Sequence, residues 1–161
     1  MQTEELSKKM VLVYALRRTA LNRERERLNQ KVIPVPIMAY IVEHPGCTQG
    51  EVADFLYISP ASVATSCKRL EKEGLLERRV DPVNRRKNQL FATAEGEELT
   101  REKRAMFDRV NERAFGDIDE GDLAAFSRVL DKKLDNLGGR DVEPRQVFGS
   151  LIESDKRKEK K

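Results

Sequence analysis

Apolar residues recur at helical spacing along most of this chain, and only one short region breaks that rhythm. From Glu4 to Asn29 there is neither proline nor glycine, and Leu6, Met10, Val13, Tyr14 and Leu21 fall at intervals that predict one long helix. Its second half, Arg23-Glu24-Arg25-Glu26-Arg27, is almost entirely charged. The stretch from Lys31 to Pro36 ends it, because Pro34 and Pro36 allow a helix only from that point onward. A short apolar helix over Pro36–Glu43 follows and is stopped by Pro45 and Gly46.

The next segment carries two helix starts in quick succession. Thr48-Gln49-Gly50-Glu51 reads as a capping box, in which a hydroxyl and a carboxylate satisfy free amide donors reciprocally. The helix it opens places Val52, Ala53 and Leu56 on one face and ends near Tyr57. Ser59-Pro60 then supplies a serine cap followed by proline at the first helical position, and the new helix runs to Glu73 before Gly74 closes it. Leu75–Val80 and Gln89–Ala92 read as two strands joined by a polar loop, Asp81–Asn88. Thr93 caps a long helix to Phe115, Gly116 interrupts it, and Asp119 caps another with Leu123, Phe126, Leu130, Leu134 and Leu137 on its apolar side. Gly138-Gly139 ends that helix. The tail predicts an amphipathic turn around Val147, Phe148, Leu151 and Ile152, then a charged, disordered end over Lys156–Lys161.

Composition narrows the classes of function. The chain has 161 residues, 39% hydrophobic and 37% charged, too polar for a membrane protein and too patterned for a disordered one. Its longest apolar runs, Met10–Leu16 and Ile37–Val42, fall far short of the roughly 20 residues a bilayer span needs. Met1 to Lys9 passes straight into a charged helical pattern, so no secretory leader is expected. Two cysteines cannot build a disulfide framework, and a reducing cytoplasm is the expected compartment. With His44 as the single histidine, no glycine-rich phosphate loop and no paired acid–base cluster, an enzyme is not expected. His44 and Cys47 lie close in sequence but are too few for a zinc site, so neither metal nor other cofactor is expected. Cys47 reads as a partly exposed structural thiol and Cys67 as a core thiol.

Charge is unevenly spread. Residues 59–88 hold eight Lys and Arg against four Asp and Glu, whereas residues 111–143 hold five against nine. A basic segment in the middle of the chain suits a polyanion, though a solvated surface gives the same pattern.

Two short helices joined by a tight turn, followed by a hairpin, describe a winged helix-turn-helix. In the second helix Val63, Cys67 and Leu70 are spaced to face the core. Ser62, Thr65, Ser66 and Arg69 form a polar stripe, with Ser59 at the cap. Small hydroxyls with one arginine approach base edges without steric conflict, and arginine bonds guanine through two donors. The hairpin loop carries Asn84, Arg85, Arg86 and Lys87, a cationic tip suited to a phosphate-lined minor groove.

Here the chain resembles the MarR (multiple antibiotic resistance regulator) family of bacterial transcription factors. The resembling text runs from E-V-A-D-F-L through I-S-P-A-S-V, R-L-E-K-E-G-L-L-E-R-R, D-P-V-N-R-R and T-A-E-G, over residues 35–100. The resemblance implies a mainly α (α+β) fold, a winged helix-turn-helix flanked by long N- and C-terminal dimerisation helices. It implies a dimerisation helix over 1–33, a DNA-binding region over 34–92, dimerisation helices over 93–140, and a basic tail over 141–161. It further implies a homodimer on double-stranded DNA, acting mostly as a repressor, with recognition helices in successive major grooves. The family's acidic-x-Arg wing motif falls on Asn84, Arg85 and Arg86, which makes Arg86 the minor-groove residue. Asn84 stands where the family usually has aspartate, and its amide oxygen is left to accept a hydrogen bond from that arginine. Effectors of the family, often small aromatic acids, bind near the junction of the early helices with the DNA-binding unit. Tyr14, Met38, Tyr40, Phe55 and Tyr57 are the aromatic and soft residues there, although residues of this kind are more often plain core than pocket. The alternative reading of the whole chain is a winged-helix module that docks another protein through its acidic last helices.

Overall fold

In the computed structural model, residues 3–139 and 141–143 are described. The amphipathic turn around Val147–Ile152 and the charged end lie outside them. Eight elements follow in order: α1 (Thr3–Arg27), α2 (Val35–Glu43), α3 (Gln49–Leu56), α4 (Pro60–Lys72), β1 (Leu76–Val80), β2 (Asn88–Ala92), α5 (Ala94–Phe115) and α6 (Glu120–Asn136). They fall into two units, one within Met1–Val32 and Arg101–Asp119, the other within Ile33–Thr100 and Glu120–Lys161.

The second unit holds the main core. Ile37, Met38 and Ile41 of α2, Val52 and Leu56 of α3, Val63, Cys67 and Leu70 of α4, and Leu75, Leu76 and Leu90 of the hairpin interlock. The two helix starts form as their sequences require. Thr48 Oγ1 accepts from the Glu51 amide at 3.2 Å while the Glu51 carboxylate accepts from the Thr48 amide at 2.6 Å, a complete capping box. The Thr48 amide and hydroxyl, both donating to the Glu51 carboxylate, hold it below its ordinary range. Ser59 Oγ accepts from the Ser62 amide at 3.1 Å, with Pro60 as the first helical residue.

Strand β1 pairs antiparallel with β2, in a register running from Leu76 opposite Ala92 to Val80 opposite Asn88. Residue 75 stays out of the strand because its amide bonds the Leu70 carbonyl at 2.9 Å across Gly74, whose φ of 74° turns the chain out of α4. A third edge, not foreseen, comes from the segment before α3. The Gly46 amide donates to Leu90 O and the Leu90 amide to Cys47 O, both at 2.8 Å. Cys47 is therefore buried, with 7% exposure, which corrects its reading as a partly exposed thiol.

The start of α5 is fixed onto the turn between α4 and β1. Thr93 Oγ1 donates to Gly74 O at 2.7 Å and accepts from the Gly96 amide at 3.1 Å, while the Thr93 amide donates to Leu75 O at 3.1 Å. Gly96 is required by close approach, since a Cβ there would strike the Leu75 carbonyl and press on Met38. Gly96→Ala is expected to destabilise the protein by about 1–3 kcal/mol through this overpacking. A urea midpoint lowered at unchanged m-value checks it, and a wild-type midpoint overturns it.

In the first unit α1 has no buried residue, and Val11, Leu12, Val13, Tyr14 and Leu16 stand exposed along it. Arg17 donates to Asn111 Oδ1 at 3.4 Å and Gln30 to Glu102 at 3.1 Å. Met106, Val110 and Lys103 are buried, and burial depresses the Lys103 ammonium below the usual lysine range. In the second unit, helix α6 likewise buries no residue and leaves Phe126, Val129 and Leu134 exposed, as is Leu137 just past its end. Among the described residues no helix is long and apolar enough to cross a membrane.

Candidate nucleic-acid interface

Helix α4 sorts its side chains by the 100° step of an α-helix. Val63, Ser66, Cys67 and Leu70 turn inward, while Ala61, Thr65, Lys68, Arg69 and Lys72 turn to solvent and Ser62 lies half-buried between. This corrects one expectation. Ser66 is only 4% exposed, because it lies about 60° from Val63 around the helix, on the flank of the core-facing arc. It does not belong to the exposed polar stripe. Lys68 and Lys72 belong to the outward face and were missed. The signal was present in their spacing of three and seven residues from Thr65.

The outward groups differ in what they can offer. Thr65 Oγ1 donates to the Ala61 carbonyl at 2.9 Å, so its oxygen is left to accept and its methyl to touch. Arg69 lies 3.8 Å from the Glu73 carboxylate one turn on, with the Arg69 side chain 42% exposed. A pair that open to water contributes about 0–1 kcal/mol and does not prevent the arginine from changing partners.

The hairpin loop is ordered by its own backbone. Asp81 Oδ1 accepts from the Val83 and Asn84 amides at 2.8 and 3.1 Å, and these donors keep its carboxyl below the ordinary range. The Asp81 amide donates to Lys87 O and the Lys87 amide to Asn84 O, closing the turn at 2.9 and 2.8 Å. Asn84 Oδ1 accepts from the backbone amide of Arg86 at 3.2 Å. The asparagine thus shapes the turn through the main chain rather than by holding the guanidinium. Arg85, Arg86 and Lys87 are exposed at the tip beside Val83, whose side chain is 94% exposed. At the base of the wing, Arg79 stacks over the Phe91 ring at 4.4 Å and bonds Glu77 at 2.9 Å.

The suggested effector residues are only partly gathered. Tyr40 stacks on His44 with ring centroids 4.1 Å apart and meets Phe55 at 4.6 Å. Burial, the largest cause, raises the Tyr40 hydroxyl above its usual value. Met38 is fully buried in the core, and Tyr57 is an exposed residue in the left-handed conformation that ends α3. Tyr14 is exposed on α1, in the other unit. His44 joins the ring cluster although sequence reading set it aside. Its spacing of four from Tyr40 on one helix face was the available signal. Both thiols are buried, and desolvation pushes each up to about 11, away from nucleophilic chemistry at neutral pH. Among the described residues no group of three His, Cys, Asp or Glu side chains is placed to hold a metal ion.

This arrangement matches known proteins. The MarR family profile matches residues 31–87, from the end of the first helix to the wing tip. The transcriptional regulator HosA of Escherichia coli O111:H- is 26% identical over 98 residues, 61% of this chain and 73% of that protein. The crystal structure of MarR is 27% identical, covers 82% of this chain and 96% of its own, and superposes with a TM-score of 0.58. Streptococcus pneumoniae FabT, solved in complex with DNA, shares the fold at 19% identity, with a TM-score of 0.68 over 85% of this chain and 98% of its own. With the helix pair, the wing and these likenesses in agreement, residues 31–87 match the MarR family, and the chain is similar to its winged helix-turn-helix transcriptional regulators.

Proposed function

We propose that the chain acts as a homodimeric repressor that occupies a pseudo-palindromic operator. Helix α4 enters the major groove and presents Thr65, Lys68 and Arg69, with Ser59 and Ser62 near the phosphates at its start. The wing reaches the adjoining minor groove with Arg85, Arg86 and Lys87, and Asn84 shapes the turn that presents them. The observation that carries this reading is an exposed cationic helix face and an exposed cationic loop tip on one compact unit. A module built to dock a protein has no need of both.

Dimerisation by segments 1–33 and 93–140 is supported by the apolar side chains that α1 and α6 leave in solvent, from Val11 to Leu16 and from Phe126 to Leu137. Exposed apolar surface of that extent favours a partner. Of the suggested effector residues Tyr40 and Phe55 meet, with His44 stacked on Tyr40, and such stacking rings support an aromatic ligand there.

Selection of bound sequences from a random duplex pool tests the function. The expected result is one two-fold symmetric site with half-sites about 34–36 Å apart, one turn of the double helix. Repeating the selection with Arg69→Ala is expected to relax one base pair per half-site at a cost of about 1–3 kcal/mol, since a bidentate guanine contact is worth that much. Failure to enrich any sequence favours the protein-docking alternative. Uniform loss across sequences makes Arg69 a phosphate clamp.

A further inference from the structure

Arg78 lies where the core gives out along the wing. Leu76, two residues earlier on the same side of β1, is buried, whereas Arg79, Val80 and residues 82–88 beyond are all exposed. Arg78 is therefore the last side chain of β1 that ties the hairpin to the helices before the loop begins. Its guanidinium makes a fork to Glu71 in the last turn of α4, with Nε to Oε1 at 3.1 Å and Nη2 to Oε2 at 2.9 Å. The opposite edge meets Gln49, the first residue of α3. With its amide oxygen turned to the arginine, Gln49 accepts from Nη1 at 3.2 Å and Nη2 at 2.9 Å. Both charged side chains are 28% exposed, so the pair is partly shielded from water and salt.

We infer that Arg78 is a positioning residue that sets the angle between the wing and helix α4 by bracketing β1 to Glu71 and Gln49. Leu75, Leu76 and Leu90 anchor the root of the hairpin, and the backbone bonds of Gly46 and Cys47 to Leu90 hold its β2 edge. On the β1 edge the attachment is Arg78, a planar fork to two helices at once. Lysine carries the same charge but cannot form the fork, so the geometry asks for arginine specifically. The inference rests on the assignment of α4 and the wing to two neighbouring grooves, where a wing held at the wrong angle cannot deliver Arg86.

Two measurements on the full chain test it with Arg78→Lys, which preserves charge. The first is amide hydrogen exchange without DNA. Exchange in residues 79–89 is expected to quicken on the order of tenfold while α3 and α4 keep their protection. The second is titration of the selected operator by wild type, Arg78→Lys, Arg86→Ala and the double variant. Arg78→Lys is expected to weaken binding about tenfold with an unchanged salt slope, because Arg78 touches no phosphate. The penalty of Arg86→Ala is expected to shrink about threefold or more in the Arg78→Lys background, a coupling between residues that do not touch. General loss of stability would leave that penalty intact. An unchanged wing exchange together with an intact Arg86 penalty overturns the inference, and so does a reduced salt slope, which would make Arg78 a phosphate contact. If the wild type binds no duplex while wing exchange still quickens, the bracket stands and the DNA reading fails.

Discussion

Replacing Arg86 with alanine is expected to weaken operator binding tenfold or more, about 1.4 kcal/mol at the least. Arg86 stands on the exposed wing tip, in a turn whose main chain is fixed by Asn84 and Asp81, so the backbone needs little reordering to bring it to a groove. A narrow minor groove concentrates negative potential, and an arginine placed there gains from that field and from the counterions it releases. Arg85→Ala and Lys87→Ala are expected to cost less, because side chains at the groove's edge meet phosphates that remain solvated. Asn84→Asp is the informative control. A carboxylate accepts from the same Arg86 amide, so the turn is kept, while the added charge near DNA opposes binding and an ion pair to Arg86 favours it. An exposed pair is worth about 0–1 kcal/mol, so the net change is expected to stay within about 1 kcal/mol. Titration of one duplex at fixed salt checks all four variants. Loss of binding in Arg85→Ala with Arg86→Ala unaffected would move the assignment by one residue.

The largest effect is expected from salt. The chain presents Lys68, Arg69 and Lys72 on the outward face of α4 and Arg85, Arg86 and Lys87 at the wing. If a dimer uses these to neutralise about 6–10 phosphates, affinity falls on the order of 10³ to 10⁵ between 50 and 200 mM salt. The same titration of the selected duplex at several salt concentrations reads the slope. A flat response would mean that the cations serve as a solubilising surface, and would favour the protein-docking alternative.

How much of this was legible beforehand depended on whether the signal was local. Capping chemistry is local, and Thr48–Glu51, Ser59–Pro60 and Thr93 all start helices where their hydroxyls require. Gly74 ends α4 for the same reason. The wing loop was readable from its Asp-Pro and Asn residues. Contacts made between distant segments were not readable. The pairing of Cys47 with Leu90, which buries the thiol, joins segments more than forty residues apart. Ser66 misled because a serine beside Thr65 looks polar-facing until the helix is rotated about the Val63–Leu70 axis. Asn84 was expected to hold the Arg86 side chain, and it holds the main chain instead, because a short amide reaches its own turn first. Tyr40 and Phe55 meet because α2 and α3 pack together, while Met38 on the same helix points into the core.

The neutral amide at position 84 has a consequence for how binding data are to be read. An aspartate–arginine pair would loosen as electrolyte is added, so a wing built on one would change shape across the very titration meant to count its contacts. Here the turn rests on an uncharged amide and on Asp81, whose carboxyl stays ionised until the solution is more acidic than an ordinary aspartate requires. Because that pKa is lowered on folding, the turn keeps its Asp81 bonds throughout neutral and mildly acid conditions and loses them only as pH falls through the depressed value. The turn's own hydrogen bonds thus include no ion pair between side chains that added salt would screen. The turn's share in a double-logarithmic plot of affinity against salt is then expected to be small, so that the gradient chiefly counts ions displaced from DNA.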